Sequence, residues 1–151
     1  LGFNQREEVV MLLKATEQLD LLIVDGNLKQ YPWLTTTAKE AGWEVAYAAD
    51  GHQALQLVSA RPARLWLANL VLPDMRGIDL LRLIKAKRPS IPFYLVSDTY
   101  SAADELAARA AGATGYLCKP VSLAWFELCR AALARQSPAN AHLSSTGRVR
   151  I

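Results

Sequence analysis

The stretch Arg64-Leu65-Trp66-Leu67-Ala68-Asn69-Leu70-Val71-Leu72-Pro73-Asp74-Met75-Arg76-Gly77 limits the fold more than any other part of the chain. An apolar run stops at one amide, crosses a Leu-Pro turn and reaches a glycine. Such a run reads as a strand buried on both faces, and the breakers after it read as a loop. Open parallel sheets bind their ligands in the crevice outside the carboxyl ends of their strands, which is where this reading puts Asn69.

The same alternation recurs along the chain. Leu21-Leu22-Ile23-Val24 is a second fully apolar run, ended by the turn Asp25-Gly26-Asn27. A helix is expected from about Gln30 to Ala41, with Pro32 tolerated in its first turn and Gly42 as its stop. Residues 43–48 alternate as a strand, and Asp50 is placed to cap a helix over His52 to Ser59. After the Arg64 to Ala68 strand, a helix from Gly77 to Lys87 turns Ile78, Leu81 and Ile84 inward, with Leu80 beside them. Phe93 to Val96 reads as a fourth strand, ending at Ser97-Asp98. The alanine-rich segment Ala102 to Ala111 reads as a helix and Gly115 to Cys118 as a fifth strand that runs into Lys119-Pro120. A last helix is expected over Ser122 to Arg135.

Five strands alternating with five helices give an α/β chain in which a parallel sheet is covered on both faces. Right-handed crossovers then favour the flavodoxin-like doubly wound sheet of order 2-1-3-4-5. Residues 20–135 form this unit. Residues 1–19 read as a leader helix whose apolar stripe is Val9, Leu12, Leu13 and Thr16, either solvated or loosely docked, or paired with a second copy or joined to a further domain. Residues 136–151 have the composition of a linker.

Composition narrows the function classes. A chain of 151 residues, 52% hydrophobic, is one domain long and can bury a full core. The formal charge of +3 comes from bases scattered among acids, which gives no support for direct nucleic-acid binding. Cys118 and Cys129 lack metal-ligand spacing and read as free, packed thiols of a reducing compartment. No apolar run reaches the roughly 18 to 20 residues of a membrane span, and no cleaved signal is apparent, so a cytoplasmic location is expected.

Asp25, Asn69, Ser97 and Lys119 collect on one edge of the expected sheet. From about Leu21 to Leu133 the chain resembles the receiver domain of two-component response regulators. The matching pieces are Leu22-Ile23-Val24-Asp25, Ala49-Asp50-Gly51, Leu72-Pro73-Asp74-Met75-Arg76-Gly77 and Gly112-Ala113-Thr114-Gly115-Tyr116-Leu117-Cys118-Lys119-Pro120. The resemblance implies that Asp25 matches the first metal-holding acid, Ser97 the hydroxyl that ends the fourth strand, and Tyr116 the switch aromatic. It likewise implies that Lys119 is the site lysine and Pro120 the cis-proline that follows it.

Two positions depart from that pattern. Gly26 stands where the second acid is expected, and Asn69 stands at the position of the phosphorylated aspartate. An amide is a very poor nucleophile for making an acyl phosphate. With one acid left, Mg²⁺ should bind weakly or not at all, and no other metal site or cofactor is expected. Lys119 is then expected to pair with Asp25 or to hydrogen-bond the Asn69 carbonyl. Asp98, at a position that is usually small in the resembled family, either approaches Lys119 as a substitute charge or caps the next helix and faces water. His52 reads as a surface residue.

The last helix carries two apolar stripes, Leu123, Phe126 and Leu133 on one side and Val121, Trp125, Leu128 and Ala132 on the other. The second, with Trp125 and Leu128, is expected to contribute to a partner surface. The chain therefore reads as an atypical receiver, a binding module and not an enzyme, that signals through a protein partner, its own effector domain or a homodimer. The alternative is a phosphorylatable receiver that uses Asp74 or Asp98. A flavodoxin-like enzyme or nucleotide binder is disfavoured by the absence of a Gly-rich phosphate loop.

Overall fold

Short apolar runs fix the strands and local capping fixes most of the helices. The structure, a computed structural model, describes residues 5–6 and 18–135. Most of the expected leader and all of the expected tail lie outside the described residues. In chain order the elements are β1 (Leu21–Val24), a 3-10 turn (Leu28–Gln30), α1 (Pro32–Glu40), β2 (Val45–Ala48), α2 (Gly51–Ala60), β3 (Trp66–Asn69), α3 (Gly77–Lys87), β4 (Phe93–Ser97), α4 (Ala102–Ala110), β5 (Gly115–Cys118) and α5 (Leu123–Arg135).

Asp50 caps α2 by accepting from the Gln53 amide at 2.8 Å, and Ser101 caps α4 by accepting from the Asp104 amide at 3.3 Å. Gly42 and Gly112 lie just past α1 and α4 with φ of 85° and 94°, the left-handed geometry that ends a helix. Both cysteines are free thiols.

Among the described residues the five strands form one parallel sheet of order β2-β1-β3-β4-β5. Side chains alternate along each strand between two cores. Leu22, Val24, Trp66, Ala68, Phe93 and Leu95 meet α2, α3 and α4 on one face. Leu21, Ile23, Leu65, Leu67 and Val96 meet α1 and α5 on the other. The interior face of α3 is Ile78, Leu80, Leu81 and Ile84, all buried as the helical spacing requires.

The strand order reverses between β1 and β3, so the crevice opens there. The register pairs Val24 with Ala68 and Asn69 with Val96, which brings Asp25 level with Asn69 and sets Ser97 one residue beyond. Gly77 closes α3 against this edge, since a Cβ there would lie 2.4 Å from the Asn69 main-chain oxygen.

On α5 the structure divides the stripe expected at a partner surface, burying Trp125 and leaving Leu128 exposed. Trp125 is buried, 6% exposed, with its ring edge-on to Tyr94 at a centroid distance of 5.3 Å. The face turned to the sheet is Trp125, Phe126, Cys129 and Leu133, which takes members from both expected stripes. Leu123 and Leu128, at 54% and 63% exposure, remain at the surface.

Candidate functional site

The carboxyl edge of the sheet is organised by Lys119. It follows β5 directly and is joined to Pro120 by a cis peptide bond. Its side chain is only 12% exposed, and its Nζ lies 2.8 Å from Asp25 Oδ2 and 3.0 Å from Asp98 Oδ1. Gln30 Oε1 accepts a further hydrogen bond from it, and the Tyr31 ring lies 5.9 Å away. A largely enclosed ammonium needs such partners, because removing a charge from water is costly unless it is paired and hydrogen-bonded.

Asp25, just past β1 and 2% exposed, is equally saturated. Its Oδ1 accepts from the Asn27 amide at 2.8 Å, and its Oδ2 accepts from the Tyr31 hydroxyl at 2.7 Å as well as from Lys119. Burial, followed by the hydrogen bond to Asp25 and its charge, pushes the Tyr31 phenol well above its usual range. Tyr31 therefore stays a donor.

Asn69 does not meet the lysine. Its Nδ2 donates to the Val71 carbonyl at 2.8 Å, so the amide is tied into the loop after β3. Of the two partners expected for Lys119, the carboxylate is the one it takes. The Ser97 hydroxyl also turns to its own loop, donating to the Thr99 carbonyl at 2.5 Å and accepting from the Thr99 amide at 3.3 Å.

The loop from Asp98 to Ser101 is held from three sides. Asp98 is 72% exposed yet reaches Lys119, and the cap of α4 comes from Ser101 instead. Tyr116 is half-buried; its hydroxyl donates to the Thr99 carbonyl and accepts from the Ser101 amide, both at 3.3 Å. Tyr100 lies against the Tyr116 ring and donates to Glu105 at 2.9 Å.

Asp74 has another task. Its Oδ1 accepts from the Gly51 amide at 2.9 Å, and its Oδ2 accepts from the His52 amide at 2.9 Å and pairs with His52 Nδ1 at 2.5 Å. Partial burial opposes ionisation of this carboxyl, but the hydrogen bonds from Gly51 and His52 outweigh it and hold the group at about 2. His52, read from sequence as a surface residue without a partner, is exposed but paired across 22 residues.

Sequence reasoning missed Gln30, Tyr31 and the His52–Asp74 pair. Only a tyrosine immediately before Pro32 marked Tyr31, and nothing local marked the others.

The residues present do not fit a divalent ion. Both oxygens of Asp25 are engaged and the ammonium of Lys119 sits between the two acids. Among the described residues, no three His, Cys, Asp or Glu side chains gather as a metal site. A Cβ on Gly26 would meet only ordinary contacts, the nearest being Pro73 at 3.4 Å, so the second acid is missing from the sequence but not excluded by space. No helix among the described residues is long and apolar enough to cross a membrane.

Comparison with known proteins supports the family and the fold. Residues 21–127 match the response regulator receiver domain. The transcriptional regulatory protein ZraR of Klebsiella oxytoca is 37% identical over 106 residues, which cover 70% of this chain and 24% of that protein. The probable transcriptional regulatory protein TcrX of Mycobacterium tuberculosis is 26% identical over 121 residues, 80% of this chain and 52% of that one. The chain thus spans between a quarter and a half of the length of these relatives. Among solved structures, the chemotaxis response regulator CheY4 of Vibrio cholerae superposes with a TM-score of 0.64 at 25% identity, covering 78% of this chain and 98% of that one. A two-component response regulator from Clostridium difficile gives a TM-score of 0.71 at 23% identity over 80% and 99% of the two chains and shares the fold.

Proposed function

Because the chain belongs to the response regulator receiver domain family, we propose that it is a receiver that takes no phosphoryl group at the usual position and signals through protein contacts. The observation that carries this reading is the amide of Asn69 at the end of β3, level with Asp25 and bonded to its own loop. An acyl phosphate forms by attack of a carboxylate oxygen, and an amide has no comparable nucleophile. The engagement of Lys119 supports the same reading, since Asp98 lends it a second carboxylate without any modification. On this reading Asp98 acts as a resident charge substitute that holds Tyr116 and its loop in one arrangement.

The partner is a protein surface or an effector domain joined to the receiver, as the names of the transcriptional regulators among its relatives suggest. Contact through α5, to a partner or a second copy, falls to Leu123 and Leu128, the exposed leucines of that helix. Trp125 is excluded from it by burial.

A second reading uses another acid. Asp74 is poorly suited, because both its oxygens are engaged at the start of α2. Asp98 is the better candidate, being exposed and beside Lys119.

Intact mass after incubation with a small phosphodonor and Mg²⁺ separates the readings. The wild-type chain is expected to show no phosphoryl adduct. The Gly26→Asp, Asn69→Asp chain, which restores both acids into available space, is expected to gain one labile to hydroxylamine. A stoichiometric adduct on the wild type, mapped to Asp98, overturns the first reading in favour of the second.

A further inference from the structure

We propose that the hollow between the carboxyl-terminal halves of α2 and α3 is the seat of the chain's own amino-terminal segment, with Val9, Leu12 and Leu13 entering it. The hollow measures about 360 Å³ and its walls are Leu55, Val58, Trp66, Leu83 and Ile84. Leu83 is 49% exposed in a helix whose other outward residues are mostly charged. An open apolar recess of this kind gains free energy from any apolar side chain that displaces its water.

The point where the segment joins the domain lies beside this recess. The Leu19 amide donates to the Pro62 carbonyl and the Leu19 carbonyl accepts from the Arg64 amide, both at 2.8 Å, and Pro62 and Ala63 line the hollow. Gln18 lines a second hollow of about 360 Å³ that shares Arg88 with the first, so recessed surface borders the entry point itself. Nine residues of helix, the separation of Val9 from Gln18, span about 14 Å.

Charge supports the same occupant. Asp79 is the one acid on α3, and it already pairs with Arg76 and Arg82. Lys87 and Arg88, at the rim of the hollow, have no acidic partner among the described residues. In the amino-terminal sequence, Glu8 and Glu17 fall on either side of the Val9, Leu12, Leu13 and Thr16 stripe at helical spacing. A tethered segment is also present at an effective concentration of roughly millimolar, which favours it over a second copy for a recess of this size.

The test is a nuclear Overhauser experiment on the full chain. Contacts are expected between the methyl groups of Leu12 or Leu13 and those of Val58 or Leu83, unchanged on tenfold dilution. Leu83→Glu, a change at a half-exposed position, is expected to remove them and raise amide exchange at residues 9–16 by roughly tenfold, with the sheet amides unaffected. The inference is overturned if the wild type shows no such contacts, or shows them to Leu57 and Tyr47 in the hollow on the other side of α2. It is equally overturned if they appear only between differently labelled molecules.

Discussion

At the scale of single residues, the site shows how an amide in place of a carboxylate redirects a side chain. Asn69 has the shape of an aspartate, but its Nδ2 is a donor and finds the Val71 carbonyl, leaving Lys119 to the carboxylates of Asp25 and Asp98. Asp74 and His52 make a separate pair with a measurable consequence. Hydrogen bonding to Asp74, followed by its charge, raises the His52 pKa, while Asp74 itself is lowered to about 2. A raised histidine contributes stability that is complete below its unfolded value of about 6.5 and is lost as pH climbs through the folded value. A lowered carboxyl contributes above about 3.9 and loses that contribution as pH falls toward its folded value. Both contributions are therefore complete between about pH 4 and 6.5. The melting temperature of the wild type is expected to fall from pH 6 to pH 8.5, and His52→Ala is expected to reduce that fall; an identical pH profile in the variant would remove the pair from the stability balance. The pair escaped the sequence because its partners are 22 residues apart, whereas Asp50, three residues from the amide it caps, was readable at once.

At the scale of elements, the loop between β4 and α4 is the part whose state the site controls. Its anchors are unequal. Tyr116 reaches it through two hydrogen bonds at 3.3 Å, Ser97 through one at 2.5 Å and one at 3.3 Å, and Asp98 through an ion pair in which the acid is 72% exposed. Exposed ion pairs contribute about 0.2 to 1 kcal/mol and are screened by salt. Asp98→Ala is accordingly expected to raise amide exchange at Thr99 and Ser101 by roughly 1.4-fold to fivefold, the equivalent of that range. It should also shift the Tyr116 ring resonances and make the loop less sensitive to added salt. Unchanged exchange and an unchanged Tyr116 spectrum would mean that Asp98 does not hold the loop. The element boundaries here were legible from turn residues and helix caps. The rotation of α5 was not, because its apolar residues run almost continuously around the axis and only packing on Tyr94, Trp43 and the sheet selects Trp125 and Phe126 for the interior.

At the scale of the whole molecule, a five-stranded sheet separates two cores, and the site occupies the edge that neither core covers. The strand order was legible because apolar runs too continuous to face water require cover on both sides, and right-handed crossovers leave few ways to supply it. The saturation of Lys119 was not, since it needs Asp25 and Gln30 from the connection after β1 and Asp98 from the one after β4. This division predicts how damage spreads. Phe126 is 1% exposed and packs edge-on against Trp43 at 4.9 Å, joining α5 to the loop between α1 and β2. Removing a buried phenylalanine ring costs about 3 to 5 kcal/mol, a large share of the roughly 5 to 15 kcal/mol of a typical domain. Phe126→Ala is therefore expected to lower the urea midpoint strongly. The groups that hold Lys119 are Asp25 and Gln30 between β1 and α1 and Asp98 after β4, none of which Phe126 anchors alone, so amide exchange at Thr99 and Ser101 should stay within about twofold of wild type under native conditions. A Phe126→Ala chain that lost the loop's protection together with its global stability would show that the edge site and the α5 core form one cooperative unit, and that contact on α5 is energetically coupled to Lys119.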